Sequence, residues 1–167
     1  IGLMAALSAL RYGATPILID IVEERLQYAK SLGVPYVINP SNTQVVDAIK
    51  DITQGTMAQV VVEASGANSA IRETLDLASF AGRIAFTGWP KQETSLPTNL
   101  ITFKELDLRG SRTSAGEFEE ALQMLATLNI NPADVVSKVV SIDEVPAAVK
   151  ELDQYPERYL KINATFH

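Results

Sequence analysis

Gly2 and Asp20 are separated by 18 positions, with an apolar helical pattern running from the first and Ile17-Leu18-Ile19 leading into the second. A glycine at such a point lets a helix pack close to a strand. A carboxylate at the strand end can accept hydrogen bonds from ribose hydroxyls, and the pair meets two requirements of a dinucleotide-binding βαβ unit. Other readings remain open: Gly2 as a simple packing glycine, and Asp20 as a turn residue or helix cap. The first two glycines of the dinucleotide fingerprint are missing from this chain. A carboxylate at Asp20 would repel a 2′-phosphate, which favours NAD over NADP. Arg25 follows about one helical turn later and is placed either to flank the adenine or ribose, or to pair with Glu24 or a neighbour on a solvated face.

Two more glycine-bearing segments, Glu63-Ala64-Ser65-Gly66 and Thr87-Gly88-Trp89, close aliphatic runs. At the carboxyl end of a parallel strand, a glycine allows the backbone to approach a flat ligand. Each is an ordinary turn when read alone; their recurrence at successive strand ends favours the ligand reading. Lys161, ahead of the last aliphatic run, is either a pyrophosphate contact or a surface charge. Trp89 either lines a pocket or sits in an interface. Metal-ligating chemistry has little to work with, since the chain has no cysteine and its one histidine is His167. No catalytic triad or Cys/His zinc site can be assembled from it, and no complete catalytic centre is expected.

The elements that must position these residues alternate regularly. Strands are expected at 17–19, 36–38, 60–62, 83–87 and 106–110, and helices over the opening stretch and at 23–32, 43–52 and 69–77. The segment between 90 and 106 reads as irregular. This alternation is the grammar of a parallel sheet with helices on both faces. Beyond Gly110 the pattern changes to a helix at 117–128 with Phe118, Ala121, Leu122 and Leu125 on one side, and an interruption at Asn131-Pro132. An extended stretch at 135–141, a helix at 143–153 capped by Asp143 and a final strand at 159–166 follow. The 167 residues suffice for one full domain, with a boundary between two structural units near 110–115.

Composition narrows the function classes. The chain is 47% hydrophobic and 20% charged, with a net charge of −6. That balance suits a globular protein and disfavours general binding to nucleic acid or to an anionic membrane. No apolar run approaches the ~20 residues of a bilayer span. The opening stretch lacks the basic start of a signal peptide, so a cytoplasmic setting is expected. The chain enters a helical pattern at Ile1, and the polypeptide is expected to extend further upstream.

Ile1-Gly2-Leu3, Gly13-Ala14, Asp20 with Arg25, and Ala29 to Gly33 together resemble the cofactor domain of zinc-dependent medium-chain alcohol and polyol dehydrogenases. Glu63 to Gly66, Gly82-Arg83-Ile84, Thr87-Gly88, Leu108 to Ser111 and Phe118 to Leu122 extend that resemblance across essentially the whole chain. The resemblance implies an α/β fold: a Rossmann-type doubly wound parallel sheet, first strand missing, with a carboxy-terminal extension belonging to the catalytic domain. Residues 1–112 would be the NAD-binding domain and 113–167 the segment returning to the catalytic domain. The neighbours of the missing strand would lose their hydrogen-bonding partner.

The resemblance also implies roles. Gly2 would lie beneath the pyrophosphate, Asp20 would hold the adenosine ribose, and Arg25 would lie near the adenine. Ser65 and Gly66 would border the adenine and its ribose. Thr87, Gly88 and Trp89, with Ser111 and Thr113, would approach the nicotinamide, and Lys161 the pyrophosphate. Zinc would belong to the intact enzyme only, its ligands lying outside this chain. The expected activity is hydride transfer between NAD and a secondary alcohol, polyol or sugar acid, and the wording around Gly88-Trp89-Pro90 and Gly110-Ser111-Arg112 resembles members acting on polyols and sugar acids. A homo-oligomer joined through sheet edges, with Asp107 to Gly110 as the edge strand, is the expected assembly. The competing readings are a zinc-free quinone-reductase relative, an S-adenosylmethionine methyltransferase, and a non-catalytic remnant or dimerisation module. Asp20 counts against the quinone-reductase reading, and the full-length element register against the methyltransferase.

Overall fold

A computed structural model describes residues 1–114, 116–127 and 135–166. The elements run α1 (Gly2–Arg11), β1 (Ile17–Ile19), α2 (Glu23–Ser31), β2 (Tyr36–Ile38), α3 (Val45–Ile52), β3 (Ala58–Glu63), α4 (Asn68–Leu77) and β4 (Ala78–Phe86). They continue with α5 (Thr98–Lys104), β5 (Asp107–Gly110), α6 (Phe118–Thr127), β6 (Lys138–Ser141), α7 (Val145–Gln154) and β7 (Ile162–Thr165). All observed strand pairings are parallel: β1 with β2, β4 between β3 and β5, and β6 with β7.

Strand alternation sends side chains to two faces, and helices cover both faces of the β1–β2 pair. Leu18 and Val37 join Ala6, Leu7 and Ala29 from α1 and α2 in one core. Ile17, Ile19 and Ile38 turn the other way, toward Val45 and Ile49 of α3 and Val61 of β3. A third core lies under α4 and α5, where Leu75, Ala78 and Ile84 are buried. The doubly wound arrangement expected from the alternation is therefore present.

The sheet is divided. β1 and β3 share side-chain packing but belong to separate sheets, as expected if a central strand is missing between them. The first turn of α1 lies at this division, because a Cβ placed on Gly2 would sit 3.7 Å from Leu18 and 3.8 Å from Ala64.

Three differences from the sequence expectations have local causes. The segment read as irregular contains α5, a helix of only seven residues. Its Lys104 Nζ donates to the carbonyls of Leu75, Asp76 and Ala78 at 2.8, 3.1 and 2.9 Å, satisfying the end of α4 with a cation. Asp143 does not cap the helix after β6. Ser141 opens a short 3₁₀ turn ahead of it, its N–H and hydroxyl both donating to Glu144 at 2.8 and 2.7 Å in a capping box, and that turn leads into α7. The amphipathic pattern of α6 is real, yet Phe118 and Leu122 are exposed. That helix is tied to the end of α1 by Arg11 Nε donating to Thr127 at 3.2 Å and by the Tyr12 hydroxyl donating to Glu120. The expected break at Asn131-Pro132 lies outside the described residues.

In the carboxy-terminal segment, Glu151 of α7 accepts from Lys138 Nζ of β6 at 2.6 Å and from the Tyr159 hydroxyl. Lys138 and then Tyr159 hold its carboxyl below the ordinary carboxylate range. A lowered folded value means the contribution is complete above the unfolded value of about 4.3 and fades as pH falls below it. Acidification from pH 6 to pH 3 should therefore loosen the α7 contact with β6 and Tyr159, seen as movement of the Tyr159 ring resonances in NMR spectra. Glu151→Gln should move them at pH 6 and flatten the response; an identical titration in the variant would remove Glu151 from this role.

Candidate functional site

β3, β4 and β5 end flush, since Glu63 is paired with Phe86 and Phe86 with Gly110. The segments expected to bind a ligand follow these strands directly. Their meeting point is Glu63, a buried carboxylate only 4% exposed.

Glu63 Oε1 accepts from the Ser65 N–H at 2.8 Å, the Ser65 hydroxyl at 2.6 Å and the Gly66 N–H at 3.0 Å. Its backbone carbonyl accepts from the Thr87 N–H at 2.8 Å, the Thr87 hydroxyl at 2.9 Å and the Gly88 N–H at 3.0 Å. One residue thus organises both strand-end loops. No cation lies within ion-pair distance among the described residues, so oriented N–H and O–H dipoles stabilise the charge.

The two glycines fit this junction. A Cβ on Gly66, which has φ +72°, would approach within 2.6 Å of the Trp89 carbonyl oxygen, and one on Gly88 would collide with Gly66 N and Glu63 Oε2. Their lack of side chains lets the loops touch each other, a demand that strand-end glycines alone did not reveal. The contact continues where Asn68 Nδ2 donates to the Glu93 carbonyl at 2.9 Å.

Asp20 and Arg25 are brought together at the end of β1, with Arg25 Nη1 3.9 Å from Asp20 Oδ2. Asp20 Oδ1 accepts from the Val22 N–H at 2.9 Å, so the strand-end turn reading of Asp20 holds for that oxygen. Arg25 is committed elsewhere: Nη2 donates to the carbonyls of Pro156 at 2.6 Å and Tyr159 at 3.4 Å. It ties α2 to the turn before β7, a link between residues 131 positions apart that no local pattern announces.

The other expected residues are placed as follows. Ser111 donates its N–H to the Phe86 carbonyl at 2.9 Å, which fixes the start of the segment after β5. Trp89 is 73% exposed, with the Arg112 guanidinium 4.7 Å from its ring centroid. Thr113 is exposed. Lys161 is exposed just before β7, beyond the turn that Arg25 holds. Glu63 was visible in the sequence only as the start of a glycine turn. A carboxylate three residues before a strand-end glycine was the one available signal.

Two features found in dinucleotide-binding folds are present: a glycine in the first turn of a helix packed between two strand ends, and an acidic residue after β1. The family described as zinc-binding dehydrogenase matches residues 1–127. The chain belongs to that family. A zinc-type alcohol dehydrogenase-like protein of Haemophilus influenzae is 61% identical over 99% of this chain and 48% of its own length. Sorbitol dehydrogenase of Bacillus subtilis is 27% identical, over 97% of this chain and 46% of its own. A crystal structure of a short chain alcohol dehydrogenase from Escherichia coli, complexed with NADH, superposes with a TM-score of 0.87 at 27% identity, covering 99% of this chain and 49% of that one. The chain thus spans about half the length of the relatives it matches. Among its described residues, no group of three or more His, Cys, Asp or Glu side chains could hold a metal ion. No described helix is long and apolar enough to cross a membrane.

The junction at Glu63 generates a stability prediction. Gly88→Ala forces a side chain into the Gly66 backbone and should destabilise the chain by about 1–3 kcal/mol, whereas Gly2→Ala, which meets only ordinary contacts, should leave it nearly unchanged. Urea unfolding of both variants checks this; equal midpoints would mean the loops do not pack as described.

Proposed function

We propose that this zinc-binding dehydrogenase chain is the NAD(H)-binding portion of an oxidoreductase that moves hydride between NAD and a secondary alcohol, polyol or sugar acid. The observation that carries the reading is the uncommitted half of Asp20. One oxygen is spent on the Val22 N–H, while the other, among the described residues, has only the Arg25 guanidinium within ion-pair reach, at 3.9 Å. It is left to accept from a ribose hydroxyl, and its charge disfavours a 2′-phosphate at the same place.

In this reading, the first-turn N–H groups at Gly2, which lack partners within the helix, meet the pyrophosphate, and Lys161 supplies a cation to it. Ser65 and Gly66 border the adenine ribose, with Arg25 on the adenine side. Thr87, Gly88, Trp89, Ser111 and Thr113 flank the nicotinamide. Because the N–H groups of Thr87, Gly88 and Ser111 are already donated within the protein, the ligand meets carbonyls and side chains there. Bound NAD would supply the hydride acceptor, and this chain's residues orient it.

Residues 1–112 form the nucleotide-binding unit and 113–167 the part that packs with a catalytic unit, whose zinc ligands lie outside this chain. The exposed apolar residues of α6 support that division. The outer edge of β5 is the proposed site of homo-oligomer formation, and the setting is cytoplasmic.

Calorimetric titration with NADH and NADPH tests the assignment. NADH should bind in preference to NADPH, and Asp20→Ser, confirmed to be folded, should weaken NADH about 10- to 100-fold by removing a charged hydrogen bond. Unchanged NADH affinity would remove Asp20 from the site. A folded chain that binds neither nucleotide would favour the interaction-module reading.

A further inference from the structure

The carboxyl ends of β4 and β5 hold one charged group that the nucleotide reading leaves unused. Arg112 follows Ser111, whose N–H is fastened to the Phe86 carbonyl at 2.9 Å, and its guanidinium lies 4.7 Å from the centroid of the Trp89 ring. Some arginines of the chain are answered by carboxylates, Arg109 by Asp107 at 2.7 Å and Arg72 by Asp76 at 3.7 Å. Arg112 has no ion pair and no hydrogen bond among the described residues. In a chain of net charge −6, this cation is held by an aromatic face and, among the described residues, by no anion.

The geometry has a chemical consequence. Attraction to a ring orients a guanidinium without using its N–H donors on a carboxylate. Those donors form a fork that matches a carboxylate in two parallel hydrogen bonds. Arg112 stands in the chain between Ser111 and Thr113, the residues proposed to lie beside the nicotinamide. We propose that Arg112, steadied by Trp89, binds the carboxylate of the substrate, so that the alcohol oxidised belongs to the sugar-acid class and not to the neutral polyols.

This rests on the reading of the β4 and β5 ends as the nicotinamide side. The carboxylate is an anchor only: hydride leaves the carbinol carbon for NAD, the hydroxyl proton is released, and the carboxylate is unchanged. A site built to hydrogen-bond such a group discriminates strongly against an analogue that lacks it, because its donor is then left without a partner.

Trp89 is the only tryptophan, so its fluorescence reports from the site itself. The full chain would be titrated with NADH, and separately with sodium D-gluconate and with D-glucitol, each with and without NADH and at ionic strength matched with sodium chloride. Gluconate should shift Trp89 emission with a Kd at least tenfold below that of glucitol. Arg112→Gln should erase the difference, and Arg112→Lys should keep part of it. Equal responses to gluconate and glucitol in a chain that binds NADH would overturn the carboxylate inference alone. Loss of NADH affinity in R112Q with gluconate binding intact would also overturn it, reassigning the guanidinium to the cofactor. An Arg112-dependent gluconate response without any NADH response would instead uphold the anchor and defeat the cofactor reading.

Discussion

A carboxylate taken out of water must be answered, and at Glu63 it is answered by the chain immediately following it. The donors are the N–H and hydroxyl of Ser65 and the N–H of Gly66. Meeting them curls the chain tightly after β3, and the Glu63 carbonyl receives Thr87 and Gly88 from the next strand. The loop after β3, the loop after β4 and the entry to α4 thus share one electrostatic solution. Weakening any donor exposes a buried charge, whose desolvation costs more than one hydrogen bond returns. The edge on which a ligand would rest is rigid for this reason before any ligand arrives.

At the other end of the same edge, the residues around Asp20 are organised differently. The Asp20 carboxylate has one oxygen engaged, and its arginine neighbour reaches away to the backbone of the Pro156 turn. Arg25 therefore joins two segments that lie far apart in the sequence. The Arg25 guanidinium lies near Asp20 at the end of β1 and holds the turn that precedes the last strand. The junction at Glu63 is closed, whereas the junction at Arg25 bridges a candidate binding residue and a distant segment.

Much of this was legible in the sequence because the signals are local. Leu26 and Ala29 at helical spacing, the aliphatic triplets of β1 and β2, and the glycines at strand ends each declare themselves within a few residues. What escaped depends on partners remote in sequence. α5 is too short for a periodic pattern, and its Lys104 works on carbonyls of α4. Glu63 matters through Thr87 and Gly88, 24 and 25 positions later. The placement of α1 between two strand ends followed from the family's order of elements; the mutual contact of Gly66 and Gly88 did not, because a glycine does not say what will occupy the space it leaves.

The shared packing of β1 and β3 has a consequence for spacing. Within each sheet, neighbouring strands are held at a set distance by ladders of backbone hydrogen bonds. From β1 to β3 the contacts are side chains such as Ile17, Ile19 and Val61. The volume of those side chains therefore bears on the span between Asp20 and Ser65, so that core residues remote from any ligand tune a distance that matters to one.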